Sequence, residues 1–413
     1  MALRNSRPIR PLVGSLVLAL TLLTTGCVGI SRAPRPPVAM SAEQRVAHNR
    51  KVFERAWDLV NRKFFDAKFR GVDWNAMRDR YRPDAEKAAD DDGLYAAINQ
   101  MLRELKESHV SAMPPQRWFE QHTRQRALVG LGFSRVEGRW VVTHVYPGSP
   151  AEAAGVQRGW LAVARDGRAL EEQKFRLTEG QTVVYEFLDE RDQPHALTMT
   201  AKVISTVSLP EARELADGVV YLRFDDFNLK SLRWLSEQLR AHRASPAVVI
   251  DLRNNPGGFL FSLDFALGEF FPREVPMGTF VRRSGTKNEE GASQLFSARY
   301  AGRVALLVGP ATASCSEIFT HALRYHGRAV VIGQKTAGAV ILSRDYPLPD
   351  GGRVQVAVED YVGLDGKRIE GVGVTPDFEV PIKLSDLRTG VDAELNTALS
   401  QLRQPLKAVA QSR

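Results

Sequence analysis

RVALLVGPATASCSEIFTHALRYHG, residues 303–327, decides the reading of this chain. Arg303 to Val308 is an aliphatic, β-branched run with the length of a buried strand. Gly309-Pro310 interrupts it, and Ile318, Phe319, Ala322 and Leu323 then recur at helical spacing before Gly327. The pattern predicts strand, tight turn, helix. Ser314, Cys315 and Ser316 fall at the mouth of that turn, where a side chain is held clear of the backbone beside the free N–H groups of a helix start. A serine there serves equally as an N-cap followed by small residues that let the helix pack, so a nucleophile and a cap both stay open at this point.

A second unit of the same kind lies upstream. Val219 to Phe224 and Ala247 to Ile250 read as buried strands, with Leu232, Leu235 and Leu239 on a helix between them, which makes a βαβ unit and a parallel pair. Asp251-Leu252-Arg253-Asn254-Asn255-Pro256-Gly257-Gly258 follows the second strand and leads into the helical run Phe259 to Phe270. Glycines at a strand-to-helix turn leave N–H groups uncovered, as a phosphate or an oxyanion requires. Phosphate lacks the Gly-Lys-Ser/Thr that would support it. An oxyanion requires a nucleophile nearby, which Ser314 supplies. Asp251, Arg253 and Asn254 read as turn scaffolding.

At the start of the chain Arg4, Arg7 and Arg10 precede the apolar run Leu12 to Leu23, which ends in Thr24-Thr25-Gly26-Cys27. A basic segment, a run too short for a comfortable bilayer span and small residues after it predict a secretory signal over residues 1–27. Cys27 after Gly26 resembles a lipobox, which implies lipidation at Cys27. Val28 beside it implies sorting to the periplasmic face of the outer membrane. The alternative is an ordinary cleaved signal and a free periplasmic protein. The Pro-rich stretch 28–42 predicts an extended tether.

Only two cysteines occur, Cys27 and Cys315, so a chain lipidated at the first has no disulfide and is held by its core. The 413 residues, 44% of them hydrophobic, suffice for two or three domains. The net charge of +8 is inflated by the signal arginines and forms no basic stripe, which argues against nucleic acid as a partner. No cofactor motif occurs, and His122, His144, His195, His242, His321 and His326 show no metal-ligand spacing.

Three apolar stripes at helical spacing follow the tether: Val52, Phe53, Ala56, Leu59, Val60 and Phe64; Trp74, Met77 and Tyr81 behind Asp73; Leu94, Ile98, Met101, Leu102 and Leu105 behind Asp90 to Asp92. They predict a small helical domain over 43–126, with Pro114-Pro115 stopping any helix after Ser108-His109-Val110-Ser111. A lone histidine at a helix end is ordinarily a dipole or surface residue, and His109 gains interest only with a partner.

From Ala127 the pattern turns to short alternating runs separated by Gly, Pro, Asn or Asp turns, which predicts a β-rich domain over 127–205 with one short helix near Ala151 to Ala154. Gly130-Leu131-Gly132-Phe133 followed by PGSPAEAAGV resembles a PDZ domain. That resemblance implies that the loop's N–H groups receive a peptide C-terminal carboxylate and that the adjacent strand edge takes up the peptide. Trp160 stands where an acidic residue is usual.

DLRNNPGG, TASCSE, VVIGQKTAGA and IEGVGVTPD, in this order after a helical region and a PDZ-like module, resemble the S41 serine peptidases, the C-terminal processing and tricorn-core group. The resemblance implies a multidomain α/β and β protein: an N-terminal helical domain, a PDZ-like β-rich domain and, over 206–404, a crotonase/ClpP-like α/β catalytic domain. It places the nucleophile at Ser314, with Glu317 three residues on. The processing branch carries T-F-G-K-G, whose second lysine is the base of a Ser/Lys dyad; here Lys335-Thr336-Ala337-Gly338-Ala339 puts Ala339 at that position. The tricorn-like branch uses serine, histidine and glutamate, and Ser108-His109 and Glu370-Gly371-Val372-Gly373-Val374-Thr375-Pro376-Asp377 match it.

These residues imply His109 as general base, with Glu370 either orienting its imidazole or acting through Ser108. Cys315 and Gly257 or Gly258 imply an oxyanion hole. Competing assignments are a Glu370 ion pair with Arg368 or Lys367 on a surface hairpin, and a Cys315 nucleophile in place of Ser314. The expected activity is endopeptidase cleavage of exported or partly unfolded protein, without cofactor, with a membrane reached only through the lipid and with the oligomeric state open. The rival is a lipid-tethered binding or scaffold protein that has kept the motifs.

Overall fold

The computed structural model describes residues 40–170, 176–292 and 299–404. The signal segment, Cys27 and almost all of the tether lie outside the described residues.

The strand-turn-helix units build a six-stranded sheet in the order Glu211–Glu214, Val219–Arg223, Ala247–Asp251, Arg303–Val308, Ala329–Gly333, Phe378–Glu379. Its first pair is antiparallel and the remaining pairings are parallel. Successive side chains on a strand point to opposite faces, and here both faces are covered. Val248, Ile250, Val304 and Leu306 pack with Leu235, Leu263, Ile318 and Phe319 of the helices Leu229–Ala241, Leu260–Gly268 and Cys315–Tyr325. Ala247, Val249, Ala305 and Leu307 pack with Leu395, Ala398 and Leu402 of the helix Ala393–Arg403. Burial on both faces is why these strands read as unbroken apolar runs. The loops after Asp251, Val308 and Gly333 all leave from the carboxyl ends of parallel strands, where open α/β sheets place their ligands.

The helices Ala42–Lys63, Trp74–Lys87 and Asp91–Arg103 form as their stripes predict, capped by Ser41, Asp73 and Asp90. Their core is not self-contained. It is completed by Ile341, Leu348, Val354, Val356 and Ala357 of a second sheet. That five-stranded sheet contains Leu342–Pro347, Arg353–Val362, Pro276–Arg282 and Lys287–Gly291 as antiparallel neighbours, together with the short strand Ser111–Met113. Asn99 fixes that short strand, donating to Ala112 O at 2.9 Å and accepting Ala112 N–H at 2.8 Å. Pro114-Pro115 does not stop a helix but starts one, Pro115–Thr123, because a missing N–H costs nothing at the first helical position.

The middle segment forms a sheet in the order Leu131–Val136, Arg139–Val145, Leu161–Arg165, Thr182–Leu188, Pro194–Thr200, with the short helix Pro150–Ala153. An antiparallel ribbon, Gln125–Leu128 with Lys202–Ser205, carries the chain in and out. The module rests on the helix Leu384–Thr389 through Val136, Val141 and Leu161 against Leu384 and Leu387. Gly159 allows the approach, since a Cβ there would stand 3.1 Å from Arg388 N. No helix among the described residues is long and apolar enough to cross a membrane.

Candidate active site

Ser314 occupies the turn between the strand Arg303–Val308 and the helix Cys315–Tyr325 at φ 55°, ψ −124°, a conformation that costs a non-glycine residue on the order of 1–3 kcal/mol and persists only where its surroundings hold it. Two acceptors do so: Ser314 N–H lies 2.7 Å from Ala339 O and 3.2 Å from a Glu317 carboxylate oxygen. The Ser314 side chain is half-buried and lies within hydrogen-bond reach of the Cys315 thiol.

The Asn255–Gly258 loop lies against this turn. A Cβ on Gly257 (φ 101°) would fall 2.6 Å from Ser314 Cβ and 2.9 Å from Cys315 N, so only glycine allows the contact. Gly257 itself is not an oxyanion donor, because its N–H donates to Asn255 Oδ1 at 3.0 Å, and Asn255 is anchored through Nδ2 to Phe224 O at 2.9 Å. The N–H groups of Gly258 and Cys315 have no hydrogen-bond acceptor among the described residues. Of the three donors expected from the sequence, these two remain available, and Gly257 serves as spacer.

The segment that carries His109 is linked to this turn through Glu370. Glu370, buried, accepts Ser108 N–H on Oε1 at 2.8 Å and Val340 N–H on Oε2 at 2.7 Å. Val340 follows Ala339, whose carbonyl holds Ser314 N–H. Glu370 therefore joins the histidine-bearing segment to the segment that holds the serine, acting on Ser108's main chain and not on the imidazole. Ser108 Oγ lies 2.6 Å from His109 Nδ1, and among the described residues the imidazole has no other hydrogen bond. None joins it to Ser314. Burial holds the His109 pKa below the ordinary histidine value, against an opposing pull from Glu370 and Asp345, so the ring is neutral at pH 7 and able to accept a proton.

The expected alternative for Glu370 is resolved by its neighbours. Arg368 pairs with Glu107 at 2.8 Å and Asp360 at 2.9 Å. Both Glu370 oxygens are turned inward to main-chain N–H groups.

Glu317 has a larger part than its place in the motif conveys. Its buried carboxylate accepts Thr336 Oγ1 at 2.5 Å and the N–H groups of Gly338 and Ala339 at 2.7 and 2.8 Å, besides Ser314 N–H. Burial pushes the carboxyl up, and these donors draw it part of the way back. Gly338, Ala339 and Val340 thus give three successive N–H groups to two glutamates, which ties the segment that holds Ser314 to the segment that holds Ser108. Sequence reasoning could not find Val340 or the Ala339 carbonyl as site groups, because main-chain atoms leave no residue signature.

Cys315 is buried, with its thiol pushed up to about 11 and donating to Gly258 O at 3.3 Å, which is the state of an inert sulfur. Arg253 acts as scaffold, bound to Asp251 and Glu394 at 2.6 Å and to Asp392 at 2.8 Å. A pocket of about 70 Å³ opens beside Ser314, walled by Leu260, Phe280, Ile318, Val340 and Leu342. No cluster of three or more His, Cys, Asp and Glu side chains among the described residues is placed to hold a metal ion.

In the β module, Gly130 (φ 90°) accepts Tyr146 N–H at 2.9 Å, and a Cβ on it would stand 2.1 Å from Ser149 Cβ. Leu131, Gly132 and Phe133 begin the terminal strand in the sheet order, which pairs with Arg139–Val145.

Residues 218–380 match the model of peptidase family S41, and residues 45–103 match that of the tricorn protease C1 domain. The chain is 28% identical to a carboxyl-terminal-processing protease of Synechocystis sp., over 93% of this chain and 92% of that one. It is 26% identical to tricorn protease homolog 2 of Streptomyces coelicolor, over 83% of this chain and 31% of that one. Among solved structures, the photosystem II D1 C-terminal processing protease superposes with a TM-score of 0.58 at 23% identity, covering 80% of this chain and 93% of that one. Mature CPAF superposes with a TM-score of 0.66 at 12% identity, covering 87% of this chain and 98% of that one. These two likenesses concern the fold: helical region, mixed sheets and connectivity.

Proposed function

We propose that this chain, an S41-family serine peptidase, is an endopeptidase of the Ser-His-Glu type that acts through an acyl-enzyme on Ser314. The observation that carries this reading is the hydrogen-bonded path from Ser314 N–H through Ala339 and Val340 to Glu370 and on to Ser108, which ends at the one histidine beside it.

In the forward reaction Ser314 Oγ adds to the scissile carbonyl while His109 Nε2 takes its proton. This step requires the tautomer in which Nδ1–H donates to Ser108 Oγ, 2.6 Å away, and Nε2 is the acceptor. The tetrahedral oxygen receives the N–H groups of Gly258 and Cys315, which have no main-chain acceptor among the described residues, each such donor being worth roughly a hundredfold or more in rate. His109 then returns its proton to the leaving amine, and a water attacks the acyl-enzyme by the same route. Ser108 and Glu370 are positioning residues. Their task is to hold the imidazole while its ring carries charge.

The apolar wall of the pocket beside Ser314 favours a small or medium apolar side chain before the scissile bond. The loop at Gly130, Leu131, Gly132 and Phe133, at the start of the terminal strand of its sheet, supports a PDZ-like module that takes a peptide terminus and brings partly unfolded protein to the site. The signal segment and Cys27 support an exported lipoprotein on the periplasmic face of the outer membrane.

The test is fluorophosphonate labelling and digestion of unfolded protein by the fragment that follows Cys27. The parent labels and cleaves, Ser314→Ala does neither, His109→Ala labels far more slowly, and Cys315→Ala resembles the parent. Loss of labelling in Cys315→Ala with retention in Ser314→Ala would reverse the assignment.

A further inference from the structure

Among the large apolar side chains that the described residues expose, three stand on two segments joined by a backbone bridge. Phe259, Phe261 and Leu229 are 66%, 54% and 63% exposed, and all three flank one backbone bridge, Phe227 to Gly258. Phe259 N–H donates to Phe227 O at 2.8 Å and Phe227 N–H to Gly257 O at 2.8 Å, while Leu229 begins its helix two residues beyond Phe227. Phe261 is held edge-on against Phe265, ring centroids 4.6 Å apart. A Cβ on Gly258 would lie 2.4 Å from Phe227 O, so the bridge is tight and the aromatic residues stand on a rigid base.

Leu260, between the two phenylalanines, lines the pocket at Ser314, as does Gly258. Phe259 and Phe261 thus flank, along the chain, a residue of the pocket wall. Held aromatic surface beside such a wall loses little side-chain freedom when covered, and apolar area is rarely left bare in one patch without a ligand.

We propose that Phe259, Phe261 and Leu229 form an apolar shelf that binds large apolar side chains of an extended polypeptide substrate lying across the Ser314 site. This rests on Ser314 being the nucleophile. The occupant is unfolded chain because a carbonyl seated over the Gly258 and Cys315 N–H groups brings its neighbouring residues past Phe259. Native surfaces, which keep such side chains inside, are poor ligands for it. The shelf thus selects for unfolded protein independently of the pocket beside Ser314 and of the β module.

The experiment compares the parent, the triple variant Phe259→Ser, Phe261→Ser, Leu229→Ser, and the variant Phe259→Leu, Phe261→Leu, using reduced, carboxymethylated lactalbumin as substrate. The serine variant is expected to raise KM roughly tenfold or more, with a smaller change in kcat, because it removes the apolar area that the substrate would cover. The leucine variant, which keeps the apolar character, is expected to stay within about threefold of the parent. An unchanged KM in the serine variant overturns the shelf, as does an equal loss in the leucine variant. A parent that sediments as a dimer and a serine variant that sediments as a monomer would assign the surface to a second copy instead. Fluorophosphonate labelling of Ser314 in the parent is read separately: its absence refutes the nucleophile, whereas labelling with an unchanged KM refutes only the shelf.

Discussion

Glu370 holds Ser108 by its main-chain N–H, at 2.8 Å, and makes no hydrogen bond to the imidazole of His109 among the described residues. A carboxylate in that position sets where the base stands; it does not share its proton. Its second oxygen takes Val340 N–H at 2.7 Å, so one side chain sets the spacing between the segment that carries the base and the segment that holds Ser314.

Glu370→Ala leaves two inward-facing N–H groups without acceptors, a loss of about 1–3 kcal/mol for each. Acylation of Ser314 is expected to slow by roughly a hundredfold through misplacement of His109. Glu370→Gln keeps one acceptor but turns an NH2 group towards the other N–H, so it rescues little. Thermal unfolding together with the fluorophosphonate labelling rate checks both effects. A Glu370→Ala protein that labels at half the parent rate would remove Glu370 from the site.

Gly257→Ala tests the contact between the glycine loop and the serine. The added methyl would stand 2.6 Å from Ser314 Cβ at a φ of 101°, where neither neighbour has room to withdraw. Since the Gly257 N–H is already bound by Asn255, the variant is expected to act by displacing Ser314 and the loop that presents Gly258. A fall of roughly a hundredfold or more in kcat/KM is expected, with the pH profile unchanged in shape. Parent-like turnover would show that the loop and the serine are further apart in solution.

Much of this arrangement was legible in the chain. Buried parallel strands announce themselves as unbroken aliphatic runs, and glycines at strand ends mark uncovered N–H groups, so the six-stranded sheet and the neighbourhood of Ser314 could be placed. Ser108, His109 and Glu370 could be named only through a family resemblance, because nothing local to any of them signals that they meet. The second sheet was not legible, since Leu342–Pro347 and Arg353–Val362 bury one face against helices that lie more than two hundred residues earlier. The choice between Gly257 and Gly258 was beyond sequence as well: it depends on which N–H Asn255 happens to accept. Pro114-Pro115 shows the opposite error, a breaker that becomes a helix start once the preceding strand fixes the chain's direction.

Cys315 is next to Ser314, the proposed nucleophile, and is expected to be unreactive in the folded protein. With its thiol pushed up to about 11, the thiolate fraction at pH 8 is small, and burial blocks access. Iodoacetamide at pH 8 is expected to leave Cys315 unmodified in native protein and to alkylate it once the chain is unfolded in urea. Cys315→Ala is expected to retain activity within severalfold and to lose about 1 kcal/mol of stability through lost packing. Rapid alkylation that also abolishes fluorophosphonate labelling would restore the cysteine as a contender.

The acid limb of the pH profile reports His109. The base works only when neutral, so kcat/KM rises with pH as the ring loses its proton and then levels. Burial places that midpoint below the ordinary histidine value of 6.5, and the carboxylates of Glu370 and Asp345 pull it partly back. Activity is therefore expected to be more than half its plateau at pH 6.5. Removing Asp345 by Asp345→Asn takes away one of the two groups that favour the imidazolium, so the limb is expected to move further towards acid while the plateau stays within severalfold. Profiles of kcat/KM between about pH 5 and 8 read the free enzyme directly. A midpoint above 7 would mean that the titrating base is not a buried histidine, and an acid limb that disappears in His109→Ala while residual cleavage persists would identify the ring beyond doubt.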